Sequence, residues 1–235
     1  TAEGDLLVDH QAKDFVVRAE EHGVPQARHR VFIVGLRSDL ALGRKLAGPL
    51  LAKVMPSQSN SVAAAIGGMP KLRSGLSRND SAADWADAVR EWARKLSADS
   101  ALPRAAIPAL RQISKANDLG RHERFSLDLA DQIPTPALAD WLVDPRLEVV
   151  IQHETRGHIN GDLGRYLYAA TFARTYGYSP KLNEFPTILQ PNHANRESGA
   201  FADRFRVQLA DSPSTTVTSH ISKDGHYFIH PDPEQ

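Results

Sequence analysis

Val31 to Leu36 is an unbroken non-polar run, and the polar stretch Gly23-Val24-Pro25-Gln26-Ala27-Arg28-His29-Arg30 leads directly into it. A run of this kind suits a strand buried on both faces. Asp14 to Ala19 reads as a second short strand, and Gly23 and Pro25 punctuate the connection between the two. Two strands alone are marginal in water. Residues 1–40 are therefore expected to be the end of a larger α/β domain, a remnant of two strands from a sheet whose other parts lie elsewhere.

The remainder is expected to be a mixed α+β domain with a helical insertion. Residues 41–145 read as mainly helical. The clearest helix is Asp84 to Leu96, where Trp85, Val89, Trp92 and Leu96 recur at spacings of three and four, which marks the two tryptophans as core. Pro103, Pro108 and Pro134-Thr135-Pro136 break this stretch, and Pro136 to Leu142 predicts a short helix with proline in its first turn. Residues 146–235 read as a separate unit. Leu147 to Ile151 predicts a strand. Asp162 to Tyr176 predicts a helix with Leu163, Tyr166, Leu167 and Ala170 on one face and Gly177 as its terminator. From Arg204 to His230 the pattern is one of strands and turns. Phe205 to Leu209 alternates, Thr215 to Thr218 is β-branched, and Lys223 to His226 reads as a hairpin turn.

Composition narrows the function. Some 41% of the residues are hydrophobic and 24% charged, as in a folded, soluble domain. No run of about 18 apolar residues is present to span a bilayer. The start, Thr1 to Asp5, lacks the basic and apolar regions of a secretion signal, so a cytoplasmic location is expected. The 28 basic and 28 acidic residues cancel, which argues against bulk coating of nucleic acid but leaves room for a local basic groove. There is no cysteine, so disulfides, thiolate metal sites and a cysteine nucleophile are excluded within the chain. His153-Glu154-Thr155-Arg156-Gly157-His158 only superficially resembles a zinc-protease motif, because its histidines are five apart rather than the four that share a helical face. No metal is expected.

Gln26, Arg28 and Arg30 alternate, so an extended backbone would put them on one face. Guanidinium groups donate in rigid pairs to phosphate or carbonyl oxygens; a solvated lead-in to the strand is the plainer alternative. Gly23 to Gly35 resembles the motif Gly-hydrophobic-Pro-Gln-x-Arg-x-Arg, followed by an apolar strand, of DNA cytosine-5 methyltransferases, with every fixed position matched. The resemblance implies that Arg30 contacts the flipped cytosine and adjacent backbone, and that Arg28 and Gln26 support the pocket. Asp211 to His220, followed by Lys223 to Pro231, resembles the end of that family's target-recognition region. There a Thr-hydrophobic pair approaches the DNA backbone, and Thr216 and Val217 hold that place. Thr218, His220, Arg204 and Arg206 are further candidates for DNA contact. Arg204 and Arg206 would share a strand face around Phe205, or else form surface ion pairs with Asp203 or Asp211. Arg156, Arg165, Asn192, His193 and Asn195 are of types that read bases and phosphates. Six of the ten histidines lie between residues 153 and 230, as DNA donors or as surface and turn residues.

The family attacks cytosine with a cysteine and takes the methyl group from S-adenosylmethionine held on a Gly-rich strand–turn–helix. This chain has neither the cysteine, nor a Glu-Asn-Val motif, nor that loop. The expectation is thus a fragment that supplies target recognition and part of the flipped-base pocket for duplex DNA, inactive and without bound cofactor by itself. In the intact enzyme it would serve DNA methylation, with restriction-modification as a setting. The alternative is a non-catalytic DNA-binding or interaction module that retains the motif. An RNA cytosine methyltransferase is a third reading, but the long helical insertion fits DNA recognition better.

Overall fold

The computed structural model describes residues 11–33, 37, 39, 60–99, 102, 104–113, 119–121, 132–191, 204–218 and 225–234. These form a mixed α/β structure of short strands and five α-helices: β1 (Val16–Arg18), β2 (Gln26–Ala27), β3 (His29–Val31), α1 (Val62–Ile66), β4 (Gly75–Leu76), α2 (Ala82–Ala98), α3 (Ile107–Ile113), α4 (Pro136–Leu142), β5 (Gly157–His158), α5 (Asn160–Tyr176) and β6 (Ser214–Thr215).

The centre of the core is α5. Every residue from Leu167 to Ala173 is buried, over nearly two turns. A helix on a surface cannot do this, because half of each turn would face water. The single apolar face expected for this segment is therefore too narrow a description. Small residues make the burial possible. Gly164 lies against the Trp92 indole so closely that an added Cβ would sit 2.5 Å from the ring. Trp92 is held there by donating from Nε1 to Asn160 Oδ1 at 2.7 Å and to the Asn160 carbonyl at 2.9 Å. Gly177 ends the helix at φ 76°, a left-handed conformation that favours glycine.

Helix α2 extends the predicted helix by two residues at each end. Ser81 caps it, its Oγ accepting from Asp84 N at 3.0 Å. Trp85, Val89 and Leu96 are buried as their spacing predicted, and they join Leu110 and Ile113 of α3, Leu163 to Ala173 of α5, and Phe205, Val207 and Ile229 in one apolar cluster. That cluster draws on residues both before and after position 146. Tyr168 and Phe172 are core, whereas Tyr166, placed on the apolar face by sequence, is half-buried and Tyr176 is exposed. Helix α4 coincides with the predicted Pro136 to Leu142.

The strands are shorter than expected. β1 pairs antiparallel with β3, placing Val17 opposite Arg30, but Ala12 to Phe15 is a 3-10 turn rather than strand. Val31, Phe32 and Ile33 are 62%, 57% and 82% exposed, so the expected burial on both faces is not met. β1 covers one edge of β3, and among the described residues no layer covers its faces. Val34 to Leu36 lie outside the described residues. Leu147 to Ile151 is a loop with Leu147 and Ile151 exposed, not a strand. Phe205 to Leu209 forms a single parallel bridge, Val207 to Ile229, and the predicted hairpin turn is a 3-10 turn at Gly225–Tyr227, with Lys223 and Asp224 outside the described residues.

β4 and β5 pair in parallel, Gly75 with Gly157 and Leu76 with His158. An ion network locks them. Asp80 accepts from Arg73 Nη1 at 2.8 Å, Arg121 Nη1 at 3.1 Å and Leu76 N at 2.8 Å. Arg121 donates onward to the Thr155 carbonyl at 2.9 Å, and Thr155 Oγ1 donates to the Arg73 carbonyl at 2.6 Å.

Two stability predictions follow from these contacts. The Arg73 guanidinium, helped by Leu76 N and Arg121, holds the Asp80 carboxyl down to about 2. A depressed carboxyl stabilises the fold above its unfolded value near 3.8 and loses that contribution as pH falls through about 2. Asp80→Asn should therefore destabilise the protein by about 1–2 kcal/mol at pH 7, with the gap to wild type closing between pH 4 and 2. Urea unfolding across that range reads it, and a gap independent of pH would contradict the network's role. Gly164→Ala should lower the thermal midpoint, because overpacking against the pinned indole costs about 1–3 kcal/mol and outweighs a helix-propensity gain of about 1 kcal/mol. A raised midpoint in calorimetry would show that Trp92 yields.

Candidate nucleic-acid interface

The site is assembled from the two ends of the chain. Ala19–His22 forms a 3-10 turn that closes on Gly23 at φ 86°, a left-handed conformation suited to glycine. Pro25 then starts an extended segment. Gln26 and Ala27 pair in parallel with Ser214 and Thr215. Ser214 N donates to the Pro25 carbonyl at 3.0 Å, and Thr216 Oγ1 donates to the Ala27 carbonyl at 2.9 Å across 189 residues of sequence. The two segments singled out by sequence are thus neighbours in space.

Between β2 and β3 the backbone turns at Arg28, whose N–H donates to the Gln26 carbonyl at 3.0 Å. The continuous strand expected over residues 26–30 is therefore divided between two sheets. Gln26 is half-buried in β2, while Arg28 and Arg30 are exposed. Arg30 Nη1 donates to the His29 carbonyl at 2.7 Å, and His29 Nε2 meets Glu20 Oε1 at 2.6 Å. Arg28 follows directly on Ala27, the β2 residue that pairs with Thr215, whereas Arg30 lies in β3 opposite Val17 of β1. Thr216 is half-buried; Val217, 40% exposed, and Thr218 face outward.

The other candidates sit elsewhere or in other roles. Arg204 is half-buried with an Nε that has no hydrogen-bond partner, and Arg206 is half-buried, its backbone joining Ile229 and His226. Phe205 between them is core. Arg165 is committed to the interior: it donates to Asp162 Oδ1 at 2.6 Å and to the Leu189 carbonyl at 2.8 Å, and lies over the Phe205 ring. His153 Nε2 meets the Pro70 carbonyl at 2.9 Å, whereas His158 Nδ1 meets Tyr166 Oη at 3.2 Å, so the two histidines of the pseudo-motif have separate partners. Burial lowers the affinity of His158 for a proton. Among the described residues no cluster of His, Cys, Asp and Glu could hold a metal, and no helix is long and apolar enough to cross a membrane. His220, Asn192, His193 and Asn195 lie outside the described residues.

Two buried carboxamides frame the site, and sequence inspection does not single out either for it. Asn60 Nδ2 donates to the Gly23 carbonyl, and Asn60 Oδ1 accepts from Thr135 Oγ1 at 3.2 Å. Gln208, an ordinary member of an alternating run in the sequence, accepts at Oε1 from Thr215 N at 2.8 Å and from Thr215 Oγ1 at 3.2 Å. Helix α1 adds a brace, with Val62 N and Ala63 N donating to the carbonyls of Ser212 and Ala210, both at 2.9 Å.

The arrangement offers two exposed guanidinium groups at Arg28 and Arg30 and, across the β2–β6 pairing, the exposed Val217 and Thr218. That set can bind phosphate oxygens and a carbonyl oxygen.

The family model for C-5 cytosine-specific DNA methylase matches residues 9–137, more than half of the chain. The chain is similar to the Type II methyltransferase M.Bpa9945I of Bacillus paralicheniformis, 52% identical over 61 residues, which are 26% of this chain and 13% of that protein. It is similar also to M.DdeI of Desulfomicrobium norvegicum, 38% identical over 60 residues, 26% of this chain and 14% of that protein. A third relative is M.MthTI of Methanothermobacter thermautotrophicus, 42% identical over 66 residues, 28% of this chain and 18% of that protein. The matched stretches thus span less than a fifth of these relatives. No solved structure matches. With more than half of its residues matched by the family model, the chain belongs to the C-5 cytosine-specific DNA methylase family.

Proposed function

We propose that this chain is the target-recognition part of a DNA cytosine-5 methyltransferase, joined to the end of its catalytic domain. The enzyme would move a methyl group from S-adenosylmethionine to C5 of a cytosine flipped out of duplex DNA. The observation that carries this reading is the pairing of β2 with β6, which brings the stretch leading into exposed Arg28 and Arg30 alongside the stretch leading into Thr216 and Val217. In this reading residues 1–40 close the catalytic sheet. Residues 41–145 are the helical insertion and residues 146–235 the recognition unit, the two sharing the core around α5.

The division of labour is as follows. Arg30 donates to the flipped cytosine and its neighbouring backbone, and Arg28 donates to phosphate, each by charge-assisted hydrogen bonds. Gln26 supports them from β2. Thr216 and Val217 abut the DNA backbone next to the extruded base, with Thr218, Arg204, Arg206 and His220 as further contacts. The chain has no cysteine, so the nucleophile is assigned to another part of the protein. Among the described residues, β4 and α2 form a strand–turn–helix, and it does not fit the Gly-rich loop that holds the methyl donor. The strand–turn–helix passage from β4 into α2 has no glycine in its turn, Ser77 to Asp80, and its helix N-terminus is already capped by Ser81. Cofactor binding is assigned to the other part as well.

In the full-length methyltransferase, Arg30→Ala should lower kcat/KM on target duplex roughly 10- to 100-fold, the cost of one or two charge-assisted hydrogen bonds, with donor affinity unchanged. Labelled methyl incorporation reads this, and wild-type rates in the variant would remove Arg30 from the pocket. The isolated chain, incubated with tritiated donor and DNA, should incorporate no label at cytosine C5. The absence of cysteine equally favours a non-catalytic binding module, and the same assay separates the two: full-length protein that binds DNA but never methylates it is such a module.

A further inference from the structure

β2 and β6 are two residues long each. A pairing this short makes too few hydrogen bonds to offset the entropy of ordering its own backbone. Something else must hold Thr215 in register, and the buried neighbour that meets it is Gln208.

The Gln208 carboxamide is fixed at both ends. Nε2 donates to the Tyr227 carbonyl at 2.7 Å, which settles the orientation of the amide and turns Oε1 toward Thr215. Oε1 then accepts both the backbone N–H and the hydroxyl of Thr215. The backbone of Gln208 is itself tied, its N–H donating to the Ile229 carbonyl at 3.0 Å. Residues Phe205, Val207 and Ile229 on either side are part of the apolar core. With Thr215 anchored on one side of the strand, Thr216 is left to reach the Ala27 carbonyl, and Val217 is turned outward. A side chain with a donor on one end and an acceptor on the other is required here; neither a carboxylate nor a thioether supplies both.

We propose that Gln208 is a positioning residue for DNA engagement: it transmits the rigidity of the core to Thr215 and so sets the Thr216–Val217 edge in step with Arg28 and Arg30. This rests on the function proposed above. Gln208 touches no substrate. It acts on where the Thr–Val edge stands, and hence on how completely the target base is held out of the helix.

The test uses full-length methyltransferase and duplex DNA with 2-aminopurine at the target base, whose fluorescence rises on flipping. Gln208→Met keeps the volume and removes all three side-chain hydrogen bonds. Gln208→Glu keeps the acceptor toward Thr215 and loses the donor to Tyr227. The fluorescence gain per bound duplex should fall about five- to thirtyfold in Gln208→Met, which loses all three bonds, and less in Gln208→Glu. Affinity for S-adenosylmethionine should stay at the wild-type value in both. Wild-type fluorescence gain in Gln208→Met overturns the proposal, as does a donor affinity that falls in step with flipping, which marks a general loss of fold. Should Gln208→Met not fold, Gln208→Glu decides, and a wild-type signal there overturns it. Failure of the wild-type enzyme to flip or methylate any DNA would instead overturn the proposed function.

Discussion

One parallel pairing, Gln26–Ala27 against Ser214–Thr215, joins parts of the chain that are 188 residues apart, and the candidate interface depends on it. Without it, Thr216 would lose its tie to the Ala27 carbonyl, and the segment that leads into Arg28 would lose its partner. The pairing is supported from both sides by buried carboxamides, Asn60 at Gly23 and Gln208 at Thr215, and by the first N–H groups of α1. Donors and acceptors removed from water are satisfied by one another, which is the condition for such a junction to persist.

Rigidity reaches the junction from the helical core. Helix α5 is buried on all sides through its middle, packed by α2 and α3 and by the segment from Phe205 to Val207. That segment is followed directly by Gln208, so a chain of contacts runs from the Trp92–Gly164 approach to the edge at Thr216. Residues before and after position 146 thus share one apolar core. The ion network of Asp80 with Arg73 and Arg121 performs a separate task, closing β4 on β5 at a distance in sequence from the interface.

Much of this was legible in the sequence. Three helices were, because α2 has apolar residues at helical spacing and α4 and α5 have proline and glycine at their ends; α1 and α3 were not placed individually, and Pro108, expected as a break, lies in the first turn of α3. The family was, because Gly23 to Gly35 is a dense and specific motif. The strands were legible only in part. β-branched and alternating patterns at Phe205 to Leu209 and Leu147 to Ile151 mark residues that fit a pleated surface, but a strand also needs a partner, and partners are set by tertiary contacts. The exposure of Val31 to Ile33 shows the same limit: apolar character predicts a preference for burial, not the presence of a covering layer. Asn60 and Gln208 could not be read at all, since a carboxamide's role depends on which backbone groups face it across the fold.

The most direct test of the account is hydrogen exchange on the full-length protein with and without target duplex. Amides in residues 24–31 and 212–218 should gain protection together on DNA binding, because paired strands share one fate. Protection of one segment without the other, or of neither while DNA stays bound, would contradict the claim that the two form a single DNA-facing surface.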